Sequence, residues 1–237
     1  MPEIDCTAII PCRNEEHTIS LVITDLQNHL GFSKNKIVVV DNGSSDKTRE
    51  IAESMGVLVV SESSKGYGSA CQAGLKIAPS SQWILIVDGD GSDFIEDGQN
   101  LWSQRNSAEL LIGLRQPVEI GALQPIQRFG NWLTCNLLFL VFKQRFHDMG
   151  PFRFIRRVFL DHLSLQDKTW GWNIEMHYLA LQSRGRVKEI PVRYRKRRGG
   201  TSKISGNFWS SIRVGTRILF TFAVLLFRKP IPPYTPK

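Results

Sequence analysis

Two aspartates separated by one glycine, at the end of an apolar run, are the residues of this chain best suited to chemistry. Trp83-Ile84-Leu85-Ile86-Val87 empties into Asp88-Gly89-Asp90-Gly91-Ser92-Asp93. Such a run fits a strand buried on both faces. In open α/β sheets ligands gather at the carboxyl ends of strands, so the acids fall where a site is expected. Asp88 and Asp90, with glycines that let the chain turn tightly, can offer two hard oxygen ligands to one Mg2+ or Mn2+ and leave positions open for phosphate oxygens. The plain alternative is an acidic turn after a core strand, where Asp and Gly are common anyway.

The elements that position these acids can be read in order. Thr7 to Pro11 is a short apolar strand. Asn14 can cap the helix after it, with Ile19, Val22, Ile23 and Leu26 on one face and Gly31 ending it. Ile37 to Asp41 is a buried strand followed by the turn Asn42-Gly43-Ser44-Ser45-Asp46. A helix over 46–55, a strand over 57–60 and a helix opened by Lys65-Gly66-Tyr67-Gly68 and running to Ala78 lead to the acidic strand. This alternation predicts a parallel, doubly wound half. Three of its strand ends carry polar chemistry: Arg13, Asn14 and Glu15; Asp41 and Ser44; Asp88 and Asp90. The glycine segment at 65–68 has neither the Walker A spacing nor the dinucleotide fingerprint.

Four segments in order closely resemble the family 2 glycosyltransferases of the GT-A fold. They are Ile9-Ile10-Pro11-Cys12-Arg13-Asn14-Glu15-Glu16, Val39 to Thr48, Lys65 to Gly68, and Asp88-Gly89-Asp90. Within that family the chain looks most like the polyprenyl-phosphate sugar transferases. The resemblance implies that Pro11, Arg13, Glu15 and Asp41 line a nucleoside pocket, with Lys65 and Gly66 in the donor-binding set. It implies that Asp88 and Asp90 hold the metal bridging the donor's diphosphate, and that Asp90 is catalytic.

The second half is less regular. Glu109 to Leu114 is a strand, and Arg115 follows where the family often has a basic residue near the diphosphate. Pro125 to Phe142 reads as a helix apolar over much of its circumference, which suits core packing or a membrane surface. His147-Asp148-Met149-Gly150-Pro151-Phe152-Arg153 resembles the family's acceptor-side segment but departs from it in spacing and at Pro151. Trp170 to Met176 begins a helix in which relatives carry a carboxylate facing the acceptor. Glu175 is therefore the first candidate for a base and Asp148 the second, with Glu175 as a helix-surface acid the alternative. A phosphate acceptor is already anionic and needs no base. Ile190 to Tyr194 is a strand, and Arg197, Gly200, Ser202 and Lys203 match the family's mobile basic loop, expected to fold over the diphosphate and offset charge as the nucleotide leaves. A nucleic-acid patch is the rival reading, but it lacks stacking aromatics and any binding motif.

Composition sets the frame. The 237 residues, 42% hydrophobic and 22% charged, are globular in character. We read residues 1–206 as one domain, with a donor half at 1–93 and an acceptor half at 94–206, and 207–237 as a C-terminal helix and Pro-rich, loose tail. Cys6, Cys12, Cys71 and Cys135 have no metal spacing and read as reduced core residues of a cytosolic protein; with a strand expected straight after Asp5, no signal peptide is expected. Arg184 to Arg217 holds eleven Lys and Arg against one acid, Glu189, so this band alone exceeds the net charge of +8. It calls for an anionic partner. Phe208 to Phe227 is interrupted by Arg213 and Arg217 and too short in its apolar part to span a bilayer. It reads as an amphipathic helix that lies on a membrane or packs on the domain, with Arg213, Arg217, Arg228 and Lys229 offered to lipid head groups. The expectation is a metal-dependent, inverting transferase of sugar from a nucleotide diphosphate sugar to a polyprenyl phosphate, peripheral at the inner face of a membrane. The alternatives are the same chemistry on a soluble or other lipid acceptor, and a non-catalytic scaffold on this fold. A nucleotidyltransferase would show a Gly-rich basic signature where this chain reads Pro11-Cys12-Arg13-Asn14-Glu15.

Overall fold

The computed structural model describes residues 4–199 and 208–235, with side chains in the last helix from residue 214 onward. In chain order the described elements are β1 Cys6–Cys12, α1 Ile19–Leu30, β2 Ile37–Asp41, α2 Thr48–Ser54, β3 Leu58–Ser61, α3 Tyr67–Ile77, β4 Trp83–Ile86 and α4 Gly98–Ser103. They continue with β5 Leu110–Pro117, α5 Pro125–Phe142, β6 Arg153–Arg156, α6 Arg157–Leu163, α7 Gly171–Gln182, β7 Val187–Tyr194 and α8 Phe208–Phe227.

The strands form one sheet in the order β3-β2-β1-β4-β6-β5-β7. β1 runs parallel to β2 and β4, and β2 to β3, as the alternating pattern predicts. β6 is inserted antiparallel between β4 and β5, while β5 and β7 pair in parallel. Pro11 is tolerated inside β1 because the β4 register ends at Ile9↔Ile86, beyond which β1 pairs with β2. Successive side chains of the central strands enter opposite cores: Ile9, Val38 and Val40 pack under α3 and α7, and Ala8, Ile10 and Val39 under α1.

Two local readings are corrected. Asn14 does not cap α1; its backbone is left-handed (φ 55°), its N–H bonds the Ser44 hydroxyl, and its side-chain oxygen takes the Ser45 N–H at 2.8 Å. It ties the first strand-end loop to the second, and the helix starts later, at Ile19. The tail beyond Lys229 is docked rather than loose. Tyr234 packs on Phe159 and His162, its N–H reaches Ser183 O at 2.8 Å, and Ile231 N–H reaches Gln182 Oε1 at 3.1 Å. Finally, α8 buries Ile218, Phe222 and Leu225 at helical spacing against α5 and α7, and leaves Leu219, Phe220, Val224 and Phe227 exposed on its other side. Packing on the domain thus holds for one face of this helix. Among the described residues no helix is long and apolar enough to cross a membrane.

Candidate active site

The carboxyl ends of β1, β4, β5 and β7 open into a cavity of about 740 Å³. One end is lined by Pro11, Glu15, Asp88, Asp90, Arg115 and Arg197. The other, walled by α5, α7 and α8, presents Asn131, Thr134, Asn173, Ile218 and Thr221. Tyr67, at the start of α3, also faces this space.

The acidic turn is built by close backbone approach. A Cβ at Gly89 would lie 2.5 Å from Cys12 Sγ, so only glycine lets the turn rest on the end of β1. Gly91 takes φ 69°, and Asp90 Oδ1 accepts the Ser92 N–H at 2.9 Å. Arg198 N–H donates to Asp90 O at 3.1 Å and Thr18 Oγ1 to Gly89 O at 2.8 Å, so the turn is held from β7's exit and from α1. Among the described residues no three His, Cys, Asp or Glu side chains are arranged to hold an ion. Two carboxylates from one turn facing a cavity suit a hard cation whose remaining ligands are water and phosphate oxygen.

Asp93, next in sequence after Ser92, does not line the cavity. It is 2% exposed, and among the described residues neither carboxylate oxygen has a hydrogen-bond partner. Burial, then the charges of Asp88 and Asp90, push its carboxyl well above the ordinary range.

Arg115 lines the cavity, held from behind by Asp148. Its Nε donates to Asp148 Oδ2 at 2.7 Å and its Nη2 to Oδ1 at 2.6 Å, while Asn131 Nδ2 donates to Oδ1 at 2.5 Å and Met149 N–H at 2.8 Å. Burial would raise the Asp148 carboxyl, but the Arg115 guanidinium overrides burial and holds it below the usual carboxylate range. Arg115 also lies over the Tyr194 ring at 5.1 Å. Arg153, fully buried, donates to the carbonyls of Met149, Gly150 and Pro151 and fixes the loop carrying Asp148. Arg197 Nη2 meets both oxygens of Glu15 at 2.6 Å at the cavity's edge.

Other expected site residues lie elsewhere. Glu175 does not line the cavity: its carboxylate accepts the backbone N–H groups of Gln166 and Asp167 and is paired with Arg228. Two residues along a helix turn the side chain by about 200°, so Asn173 faces the cavity and Glu175 points away. Arg228 is accordingly engaged with the protein rather than offered to lipid. Arg217 lines the cavity and donates to Thr169 Oγ1 at 2.8 Å. Lys65 and Gly66 are not at the cavity either. Gly66 and Gly68 serve close packing, since a Cβ there would sit 2.1 Å from the carbonyl oxygens of Lys168 and Asp167 respectively. Arg13 and Asp41 lie outside the lining, and Asp41 Oδ1 accepts the Ser44 N–H at 3.0 Å. Lys203, with Gly200 and Ser202, falls outside the described residues.

Residues 7–163 match the sequence profile described as Glycosyl transferase family 2. An uncharacterised glycosyltransferase of Mycobacterium bovis is 34% identical over 208 residues, covering 87% of this chain and 92% of its own. A dolichyl-phosphate hexose transferase of Haloferax volcanii is 27% identical, covering 83% of this chain and 86% of its own. Among solved structures, glucosyl-3-phosphoglycerate synthase from Mycobacterium tuberculosis, in complex with Mn2+ and UDP-glucose, shares the fold with a TM-score of 0.70 at 16% identity, covering 94% of this chain and 79% of that one. The chain belongs to glycosyl transferase family 2 and is a glycosyltransferase of the GT-A fold.

Proposed function

We propose that the enzyme moves a sugar from a nucleoside diphosphate sugar to a polyprenyl phosphate at a membrane surface, inverting the anomeric centre by direct displacement. The donor's diphosphate lies across the cavity end lined by Asp88, Asp90, Arg115 and Arg197. Asp88 and Asp90 fit Mg2+ or Mn2+, which when bound would neutralise charge on the departing diphosphate. Arg115, fixed by Asp148, orients a phosphoryl oxygen through a planar cation that loses no freedom on binding. The solved relative that holds Mn2+ and UDP-glucose supports this donor class.

The observation that carries the acceptor reading is that both base candidates are spoken for. Asp148 is saturated by Arg115, Asn131 and the Met149 N–H, and Glu175 is turned away. An acceptor with a neutral hydroxyl wants a base; a phosphate monoester arrives already anionic. A second feature supports a lipid. α5 and α8 pack together and leave Trp132, Leu140, Phe220 and Phe227 outside, with Trp132 62% and Phe227 91% exposed. Trp132 stacks with Phe129 at 6.2 Å, adding a second ring to this exposed apolar surface. The dolichyl-phosphate hexose transferase among the relatives fits the same picture.

The test incubates the purified protein with Mn2+, radiolabelled sugar nucleotides and polyprenyl phosphate in anionic liposomes. The expected result is label in the organic extract, and flotation with the liposomes that is lost in the Trp132→Glu, Phe220→Glu double variant. Label transferred to a soluble acceptor, with none in lipid and no flotation, would overturn the reading.

A further inference from the structure

Three neutral polar atoms in the wall of the cavity are left without a partner by the fold. Among the described residues, Tyr67 Oη, Asn173 Oδ1 and Thr221 Oγ1 are buried with no hydrogen-bond partner, and all three side chains line the cavity. Thr221 as a whole is 5% exposed. They belong to α3, α7 and α8, which meet at the entry to α7. Gly68 N–H, beside Tyr67, donates to Thr169 O at 3.1 Å, and Asn173 stands in the first turn of α7. Arg217 Nη2 donates to Thr169 Oγ1 at 2.8 Å, and Thr221 follows Arg217 by four residues on the same face of α8. The Asp88 charge acts on the Tyr67 phenol, so the group adjoins the end of the cavity that carries the acids.

The chemistry of the three atoms restricts what could satisfy them. Two are hydroxyls, which donate and accept, and the third is an amide oxygen, which accepts. An ionised phosphate oxygen has no proton to give Asn173, and an isoprenoid chain satisfies none of the three. A ligand hydroxyl gives to the amide oxygen and takes from either hydroxyl, and a polyol does so at several places at once. Buried polar groups left unmatched cost free energy, so three in one cavity wall call for a partner inside the cavity. Thr221 and Asn173 also lie beyond residues 7–163, which match the family profile, so they can differ while the acidic turn is shared.

Resting on the donor reading above, we propose that Thr221, Asn173 and Tyr67 are specificity determinants for the transferred sugar, pairing with its hydroxyls, so that α8 forms part of the wall that reads the sugar.

Isothermal titration in the presence of Mn2+ tests this on wild type, Thr221→Val and Asn173→Leu, alongside ligand-free melting curves. The ligands are UDP and GDP, and the epimer pairs UDP-glucose and UDP-galactose, UDP-N-acetylglucosamine and UDP-N-acetylgalactosamine, GDP-mannose and GDP-glucose. Valine and leucine are close in size to the side chains they replace and remove the polar atoms; Thr221→Ala replaces Thr221→Val if the latter fails to fold. The expected result is that wild type binds one sugar nucleotide at least tenfold tighter than its epimer. Each variant should weaken that sugar nucleotide at least fivefold and hold the parent diphosphate within twofold of wild type. Thr221→Val should melt at or above the wild-type temperature, because it removes an unmatched hydroxyl. If both variants hold the preferred sugar nucleotide within twofold of wild type, or weaken it only in step with its diphosphate, the subsite is overturned and the donor reading stands. Wild-type binding of a diphosphate with no choice between epimers would do the same. Absence of binding by any of these ligands would overturn both.

Discussion

The Arg115 guanidinium meets the Asp148 carboxylate side-on, Nε to Oδ2 at 2.7 Å and Nη2 to Oδ1 at 2.6 Å, and both side chains are almost wholly buried. One of the pair faces the cavity and the other stands behind it, so the acid positions the cation and has no lone pair aimed at an acceptor. Removing one partner of a buried pair leaves the other uncompensated, at a cost of about 3–5 kcal/mol. Asp148→Ala should therefore lower the melting temperature sharply. Asp148→Asn should raise the donor KM and leave the acid limb of the pH–rate profile where it was; a limb that disappears would mark Asp148 as a base after all.

The same geometry makes a different prediction for Glu175. Arg228→Ala strands a buried carboxylate and should destabilise by about 3 kcal/mol. Glu175→Gln retains hydrogen-bonding capacity and should keep kcat within a few-fold for the molecules that remain folded. A thousandfold loss of kcat with an unchanged melting temperature would return Glu175 to the chemistry.

Asp88→Ala and Asp90→Ala should each lower kcat by more than about a hundredfold, the scale seen when a main charge-stabilising element is lost. Turnover without divalent metal should fall likewise, and a chelator titration reports it. Near wild-type activity in both variants would remove the metal from the mechanism.

His177 predicts a stability change with pH. Burial, then the Arg153 charge, pushes its imidazole down to about 3, and its Nδ1 lies 2.8 Å from Asn173 O. The unfolded chain binds this proton below about pH 6.5 and the folded one does not until about pH 3, so the stability contributed by neutral His177 is complete above pH 6.5 and declines as pH falls. The loss should reach about 2 kcal/mol by pH 5, at 1.36 kcal/mol per pH unit. Melting curves between pH 7 and 5 should show it, and His177→Gln should flatten the slope.

The donor half was largely legible because its signals are local. Ile37-Val38-Val39-Val40 can only be a buried strand, and Gly31 ends α1 with φ 70° as its position suggests. β6 was not legible: Arg153-Phe154-Ile155-Arg156 begins and ends on arginine, and the first is buried only because three carbonyls receive it. Asp148 takes its meaning from Arg115, 33 residues away, which no spacing rule links to it. Glu175 lies outside the lining because its carboxylate is turned to Arg228 and the 166–167 backbone, and only the fold tells which face of α7 meets the cavity. The tail reads as loose by composition, yet Tyr234 and Ile231 anchor it.

The first turn of α3 has a further consequence. Its Gly68 and Ser69 N–H groups are consumed by the carbonyls of Thr169 and Lys168, and Gly66 N–H by Asn42 Oδ1. A helix start is the usual resource for gripping phosphate without side-chain charge, and here it is spent inside the protein. On the proposed reading, attraction for a phosphorylated donor then falls to the cation at Asp88 and Asp90 and to guanidinium and ammonium groups along the cavity rim, whose reach shrinks to about 8 Å at physiological ionic strength. Donor affinity should accordingly be a steep function of salt, so that potassium chloride concentration becomes a sensitive control of turnover.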